Sequence, residues 1–257
     1  MYEFNAERAT RDCITWIREW FDENGKGCKA VIGISGGKDS TIVGKLLVEA
    51  LGKENVVGVQ MPNKTQSDMN VSNEVCEYLG IQHFCVNIGP TVSTLEGEIE
   101  NEISVELSSQ STINLPPRIR MATLYAVSQS FNGRVVNTCN YSEDYVGYST
   151  RYGDSVGDFS PISDFTVTEV KAIGRYLGIP DKFIDKVPSD GLCGKTDEDN
   201  LGFTYEVLDK YLREGIEPEK SIKELIDSKH MSNLFKLRLM DSYKQKKTYI
   251  LGKEVVR

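Results

Sequence analysis

The sequence predicts an α/β fold: a doubly wound, mainly parallel sheet with helices on both faces. Short β-branched apolar runs alternate with segments of helical period, the pattern of parallel strands joined by right-handed crossovers. Between the first such run and its helix lies Ser35-Gly36-Gly37-Lys38-Asp39-Ser40, a glycine-rich turn of the kind that open sheets place at a strand's carboxyl end. With 257 residues, 39% of them apolar, the chain can bury one sizeable core, and residues 1–257 are expected to form a single domain.

Residues 5–23 open the chain as an amphipathic helix, with Cys13, Ile14, Ile17, Trp20 and Phe21 on one face and Asn24-Gly25 as the stop. "KAVIGIS" reads as a buried strand; past the glycine turn, Ile42, Val43, Leu46, Leu47 and Ala50 recur at helical spacing. "NVVGVQM" is a second strand, 67–79 a helix with Val71, Val75 and Leu79 on one side, and "HFCVNI" a third strand. From Gly89 to Leu115 the period fades into "SVELSSQSTINLPP", which predicts a mobile loop. Pro116 and Pro117 then start a helix through Phe131, since proline fits a first turn, and "RVVNTC" is the next strand. "NYSEDYVGYSTRYGDSVGDFSP" has too many glycines and polar residues for a continuous element and reads as a long functional loop; its tyrosines 141, 145, 148 and 152 are expected to pack beneath it. Thr166-x-x-Glu169 is a capping box ahead of a helix bearing Val170, Ile173 and Leu177, stopped by Gly178 and Pro180. A second polar loop, "PSDGLCGKTDEDNLG", precedes the helical "YEVLDKYLREG" and "KSIKELIDSKHMSNLFKLRLM". Residues 241–257 form a basic tail whose role the sequence does not state.

The formal net charge of −8 argues against nucleic acid as a partner, because phosphate backbones are bound by clustered Lys and Arg. No apolar run reaches the ~20 residues of a membrane helix, and no N-terminal stretch has signal-peptide form, so a cytoplasmic protein without a membrane partner is expected. Cys13, Cys28, Cys76, Cys85, Cys139 and Cys193 form no C-x-x-C pair. They read as reduced, mostly buried small hydrophobes with no zinc or redox role. His83, at a strand start, and His230, in a late helix, are poorly placed as general bases.

A glycine turn between strand and helix aims successive backbone N–H groups and the positive end of the helix at one spot, which then takes an anion. It is no Walker loop, since Asp39 stands where the magnesium-binding hydroxyl would follow Lys38. The stretch Ser35–Ser40 resembles the pyrophosphate-binding loop of the N-type ATP pyrophosphatases, which activate a carboxyl or carbonyl oxygen by adenylylation. "RIRMATLY", "NTCNYSE", "GYSTRYGDSVGDFSP", "KVPSDGL" and "DEDNLGFTYEVLDKYL" resemble, in order and spacing, the motifs of the NAD synthetases, over roughly residues 5–240.

That resemblance implies an adenine nucleotide alpha hydrolase-like fold and an ammonia-dependent ligase with no glutaminase domain. It would join ammonia to nicotinate adenine dinucleotide (deamido-NAD) with ATP and Mg2+, as a homodimer that shares part of the dinucleotide site. It implies Asp39 and Glu143 as magnesium carboxylates and, with Lys38, as the catalytic set. Gly33, Ile34, Ser35, Gly36, Gly37, Lys38, Asp39 and Ser40 would line the ATP site with Met61, Thr138 and Ser189, and Arg118, Arg151, Asp158 and Lys236 would bind deamido-NAD. The polar loops near 100–115 and 190–201 would close over the adenylate. Arg151 stands where the family commonly has Lys, Val167 replaces a second family lysine expected to face ATP phosphate, and Phe235 precedes Lys236 where the family has His. Two other readings share the loop. A tRNA-modifying enzyme of the same group should show a basic face, and a non-catalytic nucleotide-binding module should bind ATP without turnover.

Overall fold

The computed structural model describes residues 2–63, 69–186, 196–233 and 241–242. The chain runs α1 (Ala6–Asn24), β1 (Lys29–Gly33), α2 (Lys38–Leu51), β2 (Val56–Gln60), α3 (Met69–Leu79), β3 (Gln82–Cys85), α4 (Gly89–Ile103), α5 (Ser109–Ser130), β4 (Gly133–Val136), α6 (Tyr141–Val146), β5 (Phe159–Ser160), α7 (Val167–Tyr176), α8 (Asp181–Ile184), α9 (Asp197–Leu201), α10 (Tyr205–Glu214), α11 (Lys220–Asn233) and β6 (Asp241–Ser242). The strands form one sheet in the order β3-β2-β1-β4-β5-β6, and every pairing is parallel. From β1 the chain winds outward through β2 and β3, returns to β4 on the other side of β1, and continues to β5. The carboxyl ends of β1 and β4 therefore flank the point where winding reverses, the place where open sheets bind ligands.

Alternation along the strands divides the core between two faces. Ala30, Ile32, Val56 and Val136 pack with Trp16, Ile17, Leu46 and Ile173 from α1, α2 and α7. Val31, Val57, Val59 and Val135 point the other way, onto Met121 and Leu124 of α5. Helices thus cover both faces, as the alternation of runs predicts. The two-residue β5 is held less by its ladder than by its aromatic surroundings: Phe159 stacks on Trp20 at 4.4 Å and meets Phe21 edge-on at 5.3 Å. Truncating such a ring to alanine costs about 3–5 kcal/mol.

Several expectations need correction. The mobile loop predicted from Gly89 to Leu115 is mostly helix, α4 followed by the start of α5. Pro90 sits in the first turn of α4, and Ser108 caps α5 by accepting the Ser111 N–H at 3.2 Å. The helical period is faint because α4 buries only Gly89 and Val92, so no apolar stripe marks it. Pro116 and Pro117 lie inside α5 rather than opening it; they deny the carbonyls of Thr112 and Ile113 their usual i→i−4 donors. The expected loop from Asn140 contains α6, started by a capping box in which Asn140 and Glu143 bond reciprocally. The third strand ends at Cys85, and it is an exposed edge, which leaves Cys85 in solvent. Cys13, Cys76 and Cys139 are buried as expected, Cys28 is half-buried, and Cys193 lies outside the described residues. Asp241 and Ser242, assigned to the tail, extend the sheet beside β5. Tyr145 and Tyr148 pack on the core cluster of α7 and α10, whereas Tyr152 is exposed.

Candidate active site

Residues 34–37 carry the chain from β1 into α2 at the reversal point. Gly36 has φ +80°, and a Cβ there would stand 3.0 Å from the Ser72 backbone nitrogen, so this position needs glycine on both counts. Gly37 is the N-cap of α2 and supplies no side-chain acceptor to the helix's first N–H groups. The loop is braced from inside instead. The Ser35 hydroxyl accepts from Gly37 N at 3.2 Å and lies 3.1 Å from Ser40 Oγ, while Ser40 and Thr41 hydroxyls donate to the Gly37 carbonyl at 3.1 and 2.8 Å. A braced loop with uncapped N–H groups at the positive end of a helix is a ready anion cradle. Ile34 sits in the main core, so only its backbone faces this cradle.

Lys38 is 5% exposed, with Nζ 2.8 Å from Asp39 Oδ2. Burial alone would lower the ammonium's pKa, but the negative charge of Asp39 and Glu143 outweighs it and holds the pKa above the ordinary lysine value. The β4–α6 turn brings Glu143 to the same place. Asn140, fully buried, ties the two strand ends together: its side-chain amide donates to Asp39 Oδ1 at 3.4 Å and its backbone N–H to Glu143 Oε2 at 3.3 Å. Burial and then the Asp39 charge push the Glu143 carboxyl well above the usual carboxylate range, against the pull of Lys38 and the Asn140 N–H. Two carboxylates thus share one ammonium. Among the described residues no three His, Cys, Asp or Glu side chains are grouped to hold a metal. Two carboxylates beside a phosphate cradle are the donor set that Mg2+ takes when phosphate oxygens complete its shell, so these residues fit that ion.

The other candidates fall into a second group along α5. Exposed Arg118 donates from Nε to the Arg151 carbonyl at 3.2 Å, and Arg151 lies over the Tyr152 ring at 4.8 Å. Arg151 Nε itself is buried, with no hydrogen-bond partner among the described residues. Asp158 is occupied by the fold: Oδ2 accepts the Val135 N–H of β4 at 2.7 Å, and Oδ1 lies 3.4 Å from the Tyr125 hydroxyl. Met61 follows β2 and packs beside the α5-side core, and a Cβ on Gly33 would touch its methyl at 3.3 Å. Thr138 is half-buried just beyond β4, next to Asn137, whose amide donates to the Asp154 carbonyl at 2.6 Å. Val167 opens α7 as a buried member of the cluster with Leu201, Phe203 and Tyr205, where a lysine would be desolvated. Ser189 and Lys236 lie outside the described residues.

Sequence reasoning missed Asn140 and Tyr205. For Asn140 the N-x-x-E spacing of a capping box was there to be read. Tyr205 had no such signal, because only the fold lays its ring against Lys38, 5.9 Å from Nζ to the centroid.

The model of the NAD synthase family matches residues 9–249. The chain is 37% identical over 220 residues to the NH(3)-dependent NAD(+) synthetase of Pyrococcus furiosus, covering 85% of this chain and 84% of that protein. Its fold overlays the NMN synthetase of Francisella tularensis with a TM-score of 0.84 at 30% identity, over 92% of this chain and 98% of that one. The NH3-dependent NAD synthetase of Campylobacter jejuni overlays with a TM-score of 0.71 at 28% identity, over 91% and 96% of the two chains. The matched span takes in the anion cradle, both carboxylates and the α5 group, and the chain belongs to the NAD synthase family.

Proposed function

We propose that this enzyme is a ligase that amidates deamido-NAD with ammonia at the expense of ATP. The observation that supports this most directly is the meeting of an uncapped anion cradle with the Asp39–Glu143 pair at the reversal of the sheet. Backbone N–H groups of the loop and the Lys38 ammonium hold the departing pyrophosphate, leaving the α-phosphate open to the nicotinate carboxylate. That attack forms an acyl-adenylate and releases pyrophosphate; ammonia then adds to the activated carbonyl and AMP leaves. Asp39 and Glu143 would hold Mg2+, with Asn140 orienting both, and the ion when bound neutralises phosphate charge. Arg118 and Arg151, joined at one corner of α5, are the cations for the nicotinate nucleotide's phosphates. Ser35, Ser40, Met61, Thr138 and Ser189 complete the ATP site, and Asp158 and Lys236 the deamido-NAD site. The substrates are polyanions that cross no bilayer unaided, and the enzyme acts in the cytoplasm.

Leu95 of α4, Ile103 at its end, Val105 beyond it and Ile113 of α5 are exposed apolar side chains on neighbouring helices, which a second copy would cover in a homodimer. Val105→Glu should then yield monomers by light scattering.

Turnover is tested with ATP, Mg2+ and deamido-NAD, offering ammonium or glutamine. NAD with ammonium alone is expected; neither NAD nor pyrophosphate under any condition defeats the reading. The overlay with an NMN synthetase favours a second reading, in which the acceptor is nicotinate mononucleotide. The ratio of kcat/KM for the two acceptors decides between them.

A further inference from the structure

Tyr205 opens α10 and is 4% exposed, yet among the described residues its hydroxyl has no hydrogen-bond partner. Buried hydroxyls in folded proteins are almost always satisfied, so an orphan of this kind calls for a reason. The surroundings rule out slackness. The Tyr205 backbone N–H donates to Glu198 Oε1 at 2.9 Å, and Thr204 caps the helix by accepting the Val207 N–H at 3.3 Å, so the residue is gripped from both sides. Its ring lies against the Lys38 ammonium at 5.9 Å. Burial, and then the negative charge of Glu143, Asp197 and Asp39, raise its pKa, which keeps the proton on and makes the group a donor. None of these three carboxylates accepts that proton. The missing acceptor is therefore one that arrives beside Lys38 and carries negative charge that this lysine can balance.

We propose that the Tyr205 hydroxyl contacts substrate, donating a hydrogen bond to a phosphate oxygen of bound ATP next to Lys38. This makes it a catalytic residue in addition to Lys38, Asp39 and Glu143, and it rests on the ATP-using reaction above. In the free protein the hydroxyl forgoes a bond that it makes only when nucleotide is present.

The test is Tyr205→Phe, which removes one oxygen and keeps the ring on Lys38. Calorimetric titration with ATP and Mg2+, and with pyrophosphate and Mg2+, should show both binding on the order of tenfold more weakly, the usual weight of one hydrogen bond to a charged acceptor. Adenosine binding should be unchanged, and the melting temperature of the free variant equal to or above the parent's, because no bond is lost. Pyrophosphate affinity within twofold of the parent overturns the proposal, as does a lower melting temperature for the free variant, which would reveal an internal partner. A parent that binds ATP but makes no amide refutes the reaction assigned above, while the comparison of the two pyrophosphate affinities still decides the role of Tyr205.

Discussion

Two sets of acids stand side by side in this molecule, one buried and one half-buried, and their hydrogen bonding differs in kind. Glu169 accepts two bonds from Arg213 at 2.8 and 2.7 Å, a backbone N–H from Thr166 at 2.8 Å and the hydroxyl of Tyr2. Asp209 accepts from Ser142 at 2.5 Å and from the Thr168 N–H and hydroxyl, both at 2.7 Å. Asp39 and Glu143 have longer bonds to Asn140, at 3.4 and 3.3 Å, and among the described residues share a single ammonium. The first set is saturated with donors and joins α6, α7 and α10. The second is left short of donors and of positive charge, as a site must be if something else is to supply both. The sets touch through neighbouring residues: Ser142, held by Asp209, precedes Glu143 on α6, so the satisfied acid anchors the helix that presents the unsatisfied one.

Breaking each set separately should sharpen that contrast. The largest effect is expected from Asp39→Asn, which should cut turnover by a factor on the order of 10³, worth several kcal/mol of transition-state charge stabilisation. Because Asp39 also pairs the buried Lys38 ammonium, the free variant should melt below the parent, so turnover is compared per folded molecule, and near-parental rates would remove Asp39 from the metal role. Arg213→Met should do the reverse. Glu169 would be left charged and unpaired in the interior at a cost of about 3 kcal/mol, a fall of roughly 6–12 °C in melting temperature for a chain of this size. Activity per folded molecule at low temperature should stay within about threefold. A variant equally stable but inactive would place Arg213 in the reaction instead.

The smallest effect concerns pH. Folding raises the Glu143 pKa, so the folded chain binds more protons than the unfolded one between the ordinary glutamate value and the raised one, and stability falls as pH rises through that window. Without metal, Glu143→Gln should therefore be slightly more stable than the parent near pH 7, with the difference vanishing once pH drops below the ordinary value of about 4.3. Adding Mg2+ should raise the parent's melting temperature and not the variant's. Melting curves from pH 4 to 8 with and without Mg2+ check both, and a variant less stable at pH 7 would refute the strain.

Much of this was legible in the chain itself, and the failures share a cause. Strands β1, β2 and β4 and helices α1, α2 and α7 declare themselves because each buries a continuous apolar face, and burial writes a period into the sequence. Helix α4 and the first turns of α5 bury almost nothing, and two internal prolines argue against a helix that local rules would start later. Strand β5, two residues long, exists because Phe159 fits between Trp20 and Phe21, residues distant in the chain. In the site, Ser35–Ser40 was readable because the cradle is built from consecutive backbone groups. Asn140 was half-readable from its capping box; Tyr205 was not readable at all.

The sequence alone determined the alternation of strands and helices, the glycine loop with Asp39 after Lys38, and the cap that starts α7. Those are properties of neighbours along the chain, set by backbone freedom, local hydrogen bonds and apolar period. Only the tertiary structure decided that Glu143 faces Asp39 across two strand ends, that Asp158 spends one oxygen on β4, and that Tyr205 is buried against Lys38 without an acceptor among the described residues. These depend on which distant groups the crossovers bring together and on the loss of water around them. Neither quantity is defined until the sheet has closed.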